Sequence, residues 1–148
     1  VGLKQQIQPG VNFTPAYQMS GTPYCVTLTN VTSAATRVTF PYVTRWLMIS
    51  ARDGAAGAVR IGFSANGVNS NPDDNFFLLE LTADMTDPTS ASTRFNAMTP
   101  RLELRCKEIW VATDNATLNK VSIIAGLTGI NEGAFPTLSG SDGFEGIG

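Results

Sequence analysis

A chain of 148 residues, 43% of them hydrophobic, has the length of one domain and can bury a core without a metal or disulfide staple. Ten Lys and Arg stand against twelve Asp and Glu, and charged residues make up 15%, where about a quarter is usual. Histidine is absent, which excludes Ser-His-Asp and Cys-His nucleophile systems, histidine-ligated zinc and haem, and the histidine pH switch.

Residues 1–22 read as an extended arm. Gln5, Gln6, Gln8, Pro9 and Pro15 alternate with the spaced apolar residues Leu3, Ile7, Val11, Phe13 and Tyr17. From 23 to 127 the chain is a series of short β-branched and aromatic runs broken by Gly, Pro, Asn and Asp, and no helical period lasts three turns. Strands are predicted at 24–29, 36–40, 44–51, 58–64, 75–81, 101–106, 108–112 and 120–127. Val59, Ile61 and Phe63 alternate with Arg60, Gly62 and Ser64, and Leu102 and Leu104 with Glu103 and Arg105. One dry face and one wet face follow, as an antiparallel sheet packed on a partner requires. Phe76-Phe77-Leu78-Leu79 breaks this alternation and predicts a strand covered on both sides, by the opposing sheet or by another subunit.

Asp53-Gly54-Ala55-Ala56-Gly57 is predicted to close a hairpin, and Asn66-Gly67 to make a turn. Residues 82–99 form the longest predicted loop, with room for a helical turn near Asp87 to Ser92. The expected fold is all-β: an eight-stranded antiparallel β-sandwich of jelly-roll type with extended N- and C-terminal arms. The last arm, 128–148, holds six glycines with Phe135, Leu138, Phe144 and Ile147 spaced along it. Flexible tails lack such hydrophobes, so both arms are expected to order against a neighbouring surface, through Phe13, Tyr17, Phe135, Leu138, Phe144 and Ile147.

The motifs that could carry chemistry are weak. Asn69, Asn71, Asp73, Asn75 and Glu80 imitate calcium-loop spacing, but Asp74 occupies the required glycine position. Asp84, Asp87, Glu80 and Glu103 could supply a glycosidase acid pair, although nothing in the sequence brings any two together. Arg101, Arg105 and Lys107 form the densest basic cluster, neutralised by Glu103 and Glu108. Nucleic-acid binding needs a strongly basic arm, and residues 1–22 carry only Lys4. Asn12-Phe13-Thr14, Asn30-Val31-Thr32 and Asn115-Ala116-Thr117 are glycosylation sequons, expected by chance in an Asn/Thr-rich chain. Cys25 and Cys106 have no metal-ligand spacing. They read as a disulfide or as two free thiols, and free thiols are expected, because a single pair with no signal peptide in the sequence gives no evidence of secretion. Trp46 and Trp110 sit in strand contexts that favour core or interface packing. No enzyme activity, cofactor, metal, small-molecule substrate or nucleic-acid partner is expected, and no apolar run is long enough to span a membrane.

The strand series from Tyr24 to Leu127, the junction Val121-Ser122-Ile123-Ile124-Ala125-Gly126-Leu127-Thr128-Gly129-Ile130 and the glycine-rich end Gly140 to Gly148 resemble the single jelly-roll proteins of icosahedral virus shells. Without a basic arm, the chain resembles vertex (penton) and cement or decoration proteins more than genome-lining coats. The resemblance implies a virion location and a homo-oligomer, pentameric or trimeric, tied by its arms to a major capsid protein. It carries over no individual residue. The alternative expectation is a secreted carbohydrate-binding β-sandwich, meeting sugar through Trp46, Trp110 or the loop from Asn69 to Asn75.

Overall fold

The structure, a computed structural model, describes residues 10–69, 75–83, 95–114 and 118–148, with backbone alone at 118 and 119. Eight strands appear in chain order: β1 (Thr22–Val31), β2 (Thr36–Thr39), β3 (Tyr42–Asp53), β4 (Gly57–Gly62), β5 (Phe77–Ala83), β6 (Phe95–Met98), β7 (Glu108–Thr113) and β8 (Leu118–Asn131). Two short helices, α1 (Thr14–Gln18) and α2 (Ala65–Val68), lie outside the sheet. Pro15 stands in the first turn of α1, where its missing N–H costs nothing. Ser64 caps α2 by accepting from the Gly67 amide at 2.9 Å, so the predicted Asn66-Gly67 turn becomes a helical turn.

All strand pairs are antiparallel, and the sheet order is β1-β8-β3-β6-β5-β4-β7-β2. The pairs β1 with β8, β2 with β7, β3 with β6 and β4 with β5 make the chain one long hairpin, rolled so that β8 also pairs with β3 and β7 with β4; the sheet then has two halves, β1-β8-β3-β6 and β5-β4-β7-β2, joined through β5–β6. The expected sandwich is therefore a single sheet, nearly closed into a barrel. Two causes operate. β5 and β6 pair at Thr82↔Asn96 and Ala83↔Phe95, carrying the ladder from one half to the other. On the opposite side β1 and β2 are not hydrogen-bonded as strands, but Tyr24 and Phe40 meet edge to face with centroids 5.6 Å apart. The predicted hairpin at Asp53 to Gly57 is instead a crossing between halves, because β3 pairs with β8 and β6 while β4 pairs with β5 and β7.

The barrel interior is one apolar cluster. Ile49 on β3, Val59 on β4, Ile109 and Val111 on β7, and Val121 and Ile123 on β8 all point into it. The inward positions alternate with outward ones such as Met48, Ser50, Ser122 and Ile124, which is the period of two that β-branched residues support on a pleated surface.

The predicted strand at 101–106 is not one. Only Leu102 pairs, in an isolated bridge with Leu47. Leu102 and Leu104 are nonetheless half-buried while Glu103 and Arg105 are exposed. Alternation records which way side chains face, and an extended segment keeps it without a ladder. The strand that fills this place in the sheet, β6, lies inside the predicted loop at 82–99. The predicted helical turn at Asp87 to Ser92 falls outside the described residues.

β3 is irregular where 101–106 passes it, with register shifts between Tyr42 and Thr44 and between Thr44 and Trp46. Val43 and Thr44, consecutive residues, are both fully buried, as a bulge permits. Two threonine hydroxyls satisfy the backbone groups that this leaves. Thr44 Oγ1 donates to the Leu104 carbonyl at 2.7 Å and accepts from the Cys106 amide at 3.0 Å. Thr128 Oγ1 donates to the Val43 carbonyl at 2.7 Å and accepts from the Ile130 amide at 3.2 Å.

Candidate assembly surfaces

Phe13 and Tyr17 belong to the α1 turn. Phe13 is exposed at its N-cap, while Tyr17 is half-buried and donates its hydroxyl to the Val11 carbonyl at 2.9 Å. The Arg105 guanidinium lies 5.1 Å from the Tyr17 ring centroid, and Arg45 Nε donates to the Tyr17 carbonyl. Tyr17, Arg45, Arg105 and Glu103 together line an open groove of about 400 Å³.

Phe135, Leu138, Phe144 and Ile147 are all half-buried, and their segment lies back on the same chain. Lys107 Nζ donates to the Phe135 carbonyl at 3.1 Å, and Ser64 Oγ donates to the Ile147 carbonyl at 2.8 Å. Gly67 is needed at that contact, since a Cβ there would sit 2.2 Å from the Ile147 oxygen. The two groups of predicted residues thus occupy separate places, one on α1 and one beside α2 and the start of β7.

Other apolar side chains are more exposed than these. Phe77 is 56% exposed and its neighbour Leu78 is also open, so within one chain β5 is covered only on the Leu79 and Leu81 side. Met98 is 66% and Ile124 40% exposed, on the outer face of β1-β8-β3-β6 beside Cys25 and Met48. The outward position of Ile124 is readable from alternation in β8, whereas Met98 is hidden from such a reading because β6 carries no clear strand signal.

The predicted basic cluster is dispersed into local contacts. Arg101 pairs with Glu103 and lies 5.4 Å from the Trp46 ring centroid, Arg105 packs on Tyr17, Lys107 reaches Phe135, and Glu108 pairs with Arg37. Trp46 lies against Gly126, where a Cβ would come 2.2 Å from its indole nitrogen. Trp110 carries Arg37 at 5.9 Å from its ring centroid, and its indole N–H is buried without an acceptor among the described residues. Arg60, almost fully buried on β4, has its Nε 3.0 Å from the Asp114 carboxylate and donates through Nη2 to the Thr113 carbonyl at 3.3 Å.

Among the candidate acids, Glu80 and Glu103 are exposed on different elements, with Glu103 taken up by Arg101. Asp84, Asp87, Asn71, Asp73 and the sequon at Asn115 lie outside the described residues. Among the described residues no group of three His, Cys, Asp or Glu is placed to hold a metal ion, and no helix is long and apolar enough to cross a membrane.

Cys25 and Cys106 are both free. Cys25 faces outward from β1, while Cys106 is buried with its sulfur 3.3 Å from Thr44 Oγ1. Burial pushes the Cys106 thiol up to about 11, against the opposing effect of its hydrogen bond with Thr44, and Glu108 adds to the rise. The thiolate is the reactive form. Titration of the native protein with a thiol-specific disulfide reagent at pH 8 is therefore expected to release one equivalent quickly, from Cys25, and the second only on unfolding. Two fast equivalents would contradict the burial of Cys106.

No family model, curated protein or solved structure matches this chain.

Proposed function

We propose that this protein is a structural component of a virus shell, a small jelly roll of the penton, minor capsid or decoration kind, acting by protein–protein assembly. The observation carrying the proposal is the pairing of β1 with β8, β2 with β7, β3 with β6 and β4 with β5. A jelly roll has this rolled-hairpin order in eight strands, and virus coats use that architecture repeatedly. The fold by itself does not fix a function, and the surface supplies the second support. Among the described residues, exposed large apolar side chains lie at α1 (Phe13, Met19), at the start of β3 (Tyr42), on β5 (Phe77, Leu78) and on the outer face of β1-β8-β3-β6 (Met98, Ile124). A subunit with several neighbours needs several such patches.

The proposed partners are further copies of the chain, as a pentamer or trimer, and a major capsid protein. The dispersal of the basic cluster into ion pairs and ring contacts argues against a genome-binding role.

Immunogold electron microscopy of particles from the native source tests the reading. The expected result is label on the shell, together with loss of incorporation for a chain lacking residues 132–148 that keeps the wild-type circular dichroism spectrum. Reproducible sugar binding by the isolated monomer on a glycan array, with no particle label, would instead establish the carbohydrate-binding alternative.

A further inference from the structure

Eight Lys and Arg side chains lie among the described residues, and six of them have a partner: an acid for Arg37, Arg60 and Arg101, a carbonyl for Arg45 and Lys107, and an aromatic ring for Arg105. Arg52 and Lys120 have none among the described residues, and they stand directly opposite each other on β3 and β8. Like charges in register repel, so the barrel gains nothing from this arrangement. Both border a groove of about 600 Å³ on the outer face of β1-β8-β3-β6, lined with Thr27, Ser50, Asn96 and Ser122. No acid occupies an outward position on the described strands of this face.

Residues 121–148 have the complementary charge, with Glu132, Asp142 and Glu145 and no cation. All three acids are exposed. Asp142 accepts a hydrogen bond from Ser139, which leaves the other two carboxylates without a protein partner among the described residues. The two surfaces cannot meet within one barrel as folded. Lys120 is at the start of β8 and residues 132–148 begin beyond its end, roughly 35 Å away at the usual rise per residue, where Lys107 and Ser64 hold the segment.

We infer that the groove bordered by Arg52 and Lys120 is the docking site for the acidic segment 132–148 of a second copy of this chain. Opposite ends of the barrel then meet head to tail, a heterologous contact that closes into a ring when the rotation between copies permits. The inference rests on the assembly reading above and gives it a surface and a partner.

Native mass spectrometry and sedimentation of the purified full-length chain test it separately from any particle. Wild-type protein is expected to self-associate at low salt and to dissociate as salt is raised. Either R52E/K120E or E132K/D142K/E145K should weaken association by about tenfold to hundredfold, with the melting temperature of the monomer retained. Mixing the two variants should restore it, because the reversed groove of one then faces the reversed segment of the other. A monomeric wild type, association insensitive to both reversals, or reversals that fail to rescue each other would each overturn the inference. A chain that passes this test but never labels virus particles would refute the shell reading alone.

Discussion

Replacing Phe40 by Ala is expected to destabilise the protein by about 3–5 kcal/mol, lowering the melting temperature by roughly 6–20 °C for a chain of this size. Phe40 is 1% exposed and stands at the seam where the sheet fails to close. β1 and β2 are the two ends of the sheet order, so no ladder joins them. Packing joins them instead: Tyr24 meets the Phe40 ring at an interplanar angle of 79°, and the Tyr24 hydroxyl reaches the Thr39 carbonyl at 3.4 Å. Removing the ring leaves a cavity at the seam and frees the edge of β1, ten residues with no charged side chain to discourage edge pairing.

Two controls separate packing from hydrogen bonding. Tyr24→Phe removes an exposed, long hydrogen bond and should cost at most about 1 kcal/mol. Phe40→Leu keeps most of the volume and should cost less than about 1.5 kcal/mol. Urea denaturation gives all three values. If Phe40→Ala proves no worse than Tyr24→Phe, the seam is not closed by packing.

Thr44→Val is expected to cost about 2–4 kcal/mol although the two side chains are nearly isosteric. Thr44 is fully buried, and its hydroxyl serves the Leu104 carbonyl and the Cys106 amide at once. Valine leaves both backbone groups without that partner, at about 1–3 kcal/mol for each buried group. Thr44→Ser keeps both hydrogen bonds and loses one methyl, for about 1 kcal/mol. Hydrogen exchange gives a local reading: the Cys106 amide should exchange faster in the valine variant and remain protected in the serine variant. Equal stability of the two variants would show that the hydroxyl does not hold the 101–106 segment to β3.

Both results concern features that strand patterns do not encode. Short β-branched and aromatic runs, with alternation where it is clear, located β1, β2, β3, β4, β5, β7 and β8 to within a few residues, because strand preference and the facing of a side chain are local properties. It misplaced the eighth strand for the same reason. Leu102 and Leu104 alternate with charged residues as a strand should, yet the bulged β3 beside them offers Thr44 where a regular ladder would offer backbone. Phe95–Met98 is too short, and set in too polar a loop, to show a period at all. The assembly residues divide similarly. The spacing of Phe13, Tyr17, Phe135, Leu138, Phe144 and Ile147 marked them as apolar anchors, but their positions on α1 and beside α2 follow from where the ends of the chain come to rest.

The low charge read at the outset also changes its meaning. From sequence, residues 23–127 balance nine cations against nine acids. The fold distributes that balance unevenly, pairing Arg37, Arg60 and Arg101 with acids and leaving Arg52 opposite Lys120.

That this is an all-β chain without histidine chemistry was legible in the residues alone, since composition and short β-branched runs are properties of neighbouring residues, whereas the wet face expected on β4 is covered, with Arg60 4% exposed. The closing of eight strands into one nearly closed barrel, the threonine hydroxyls that repair its bulge and the two cations that share a groove are visible only in the folded chain. Those features depend on pairing between residues far apart in the chain, and a local period carries no record of a distant partner.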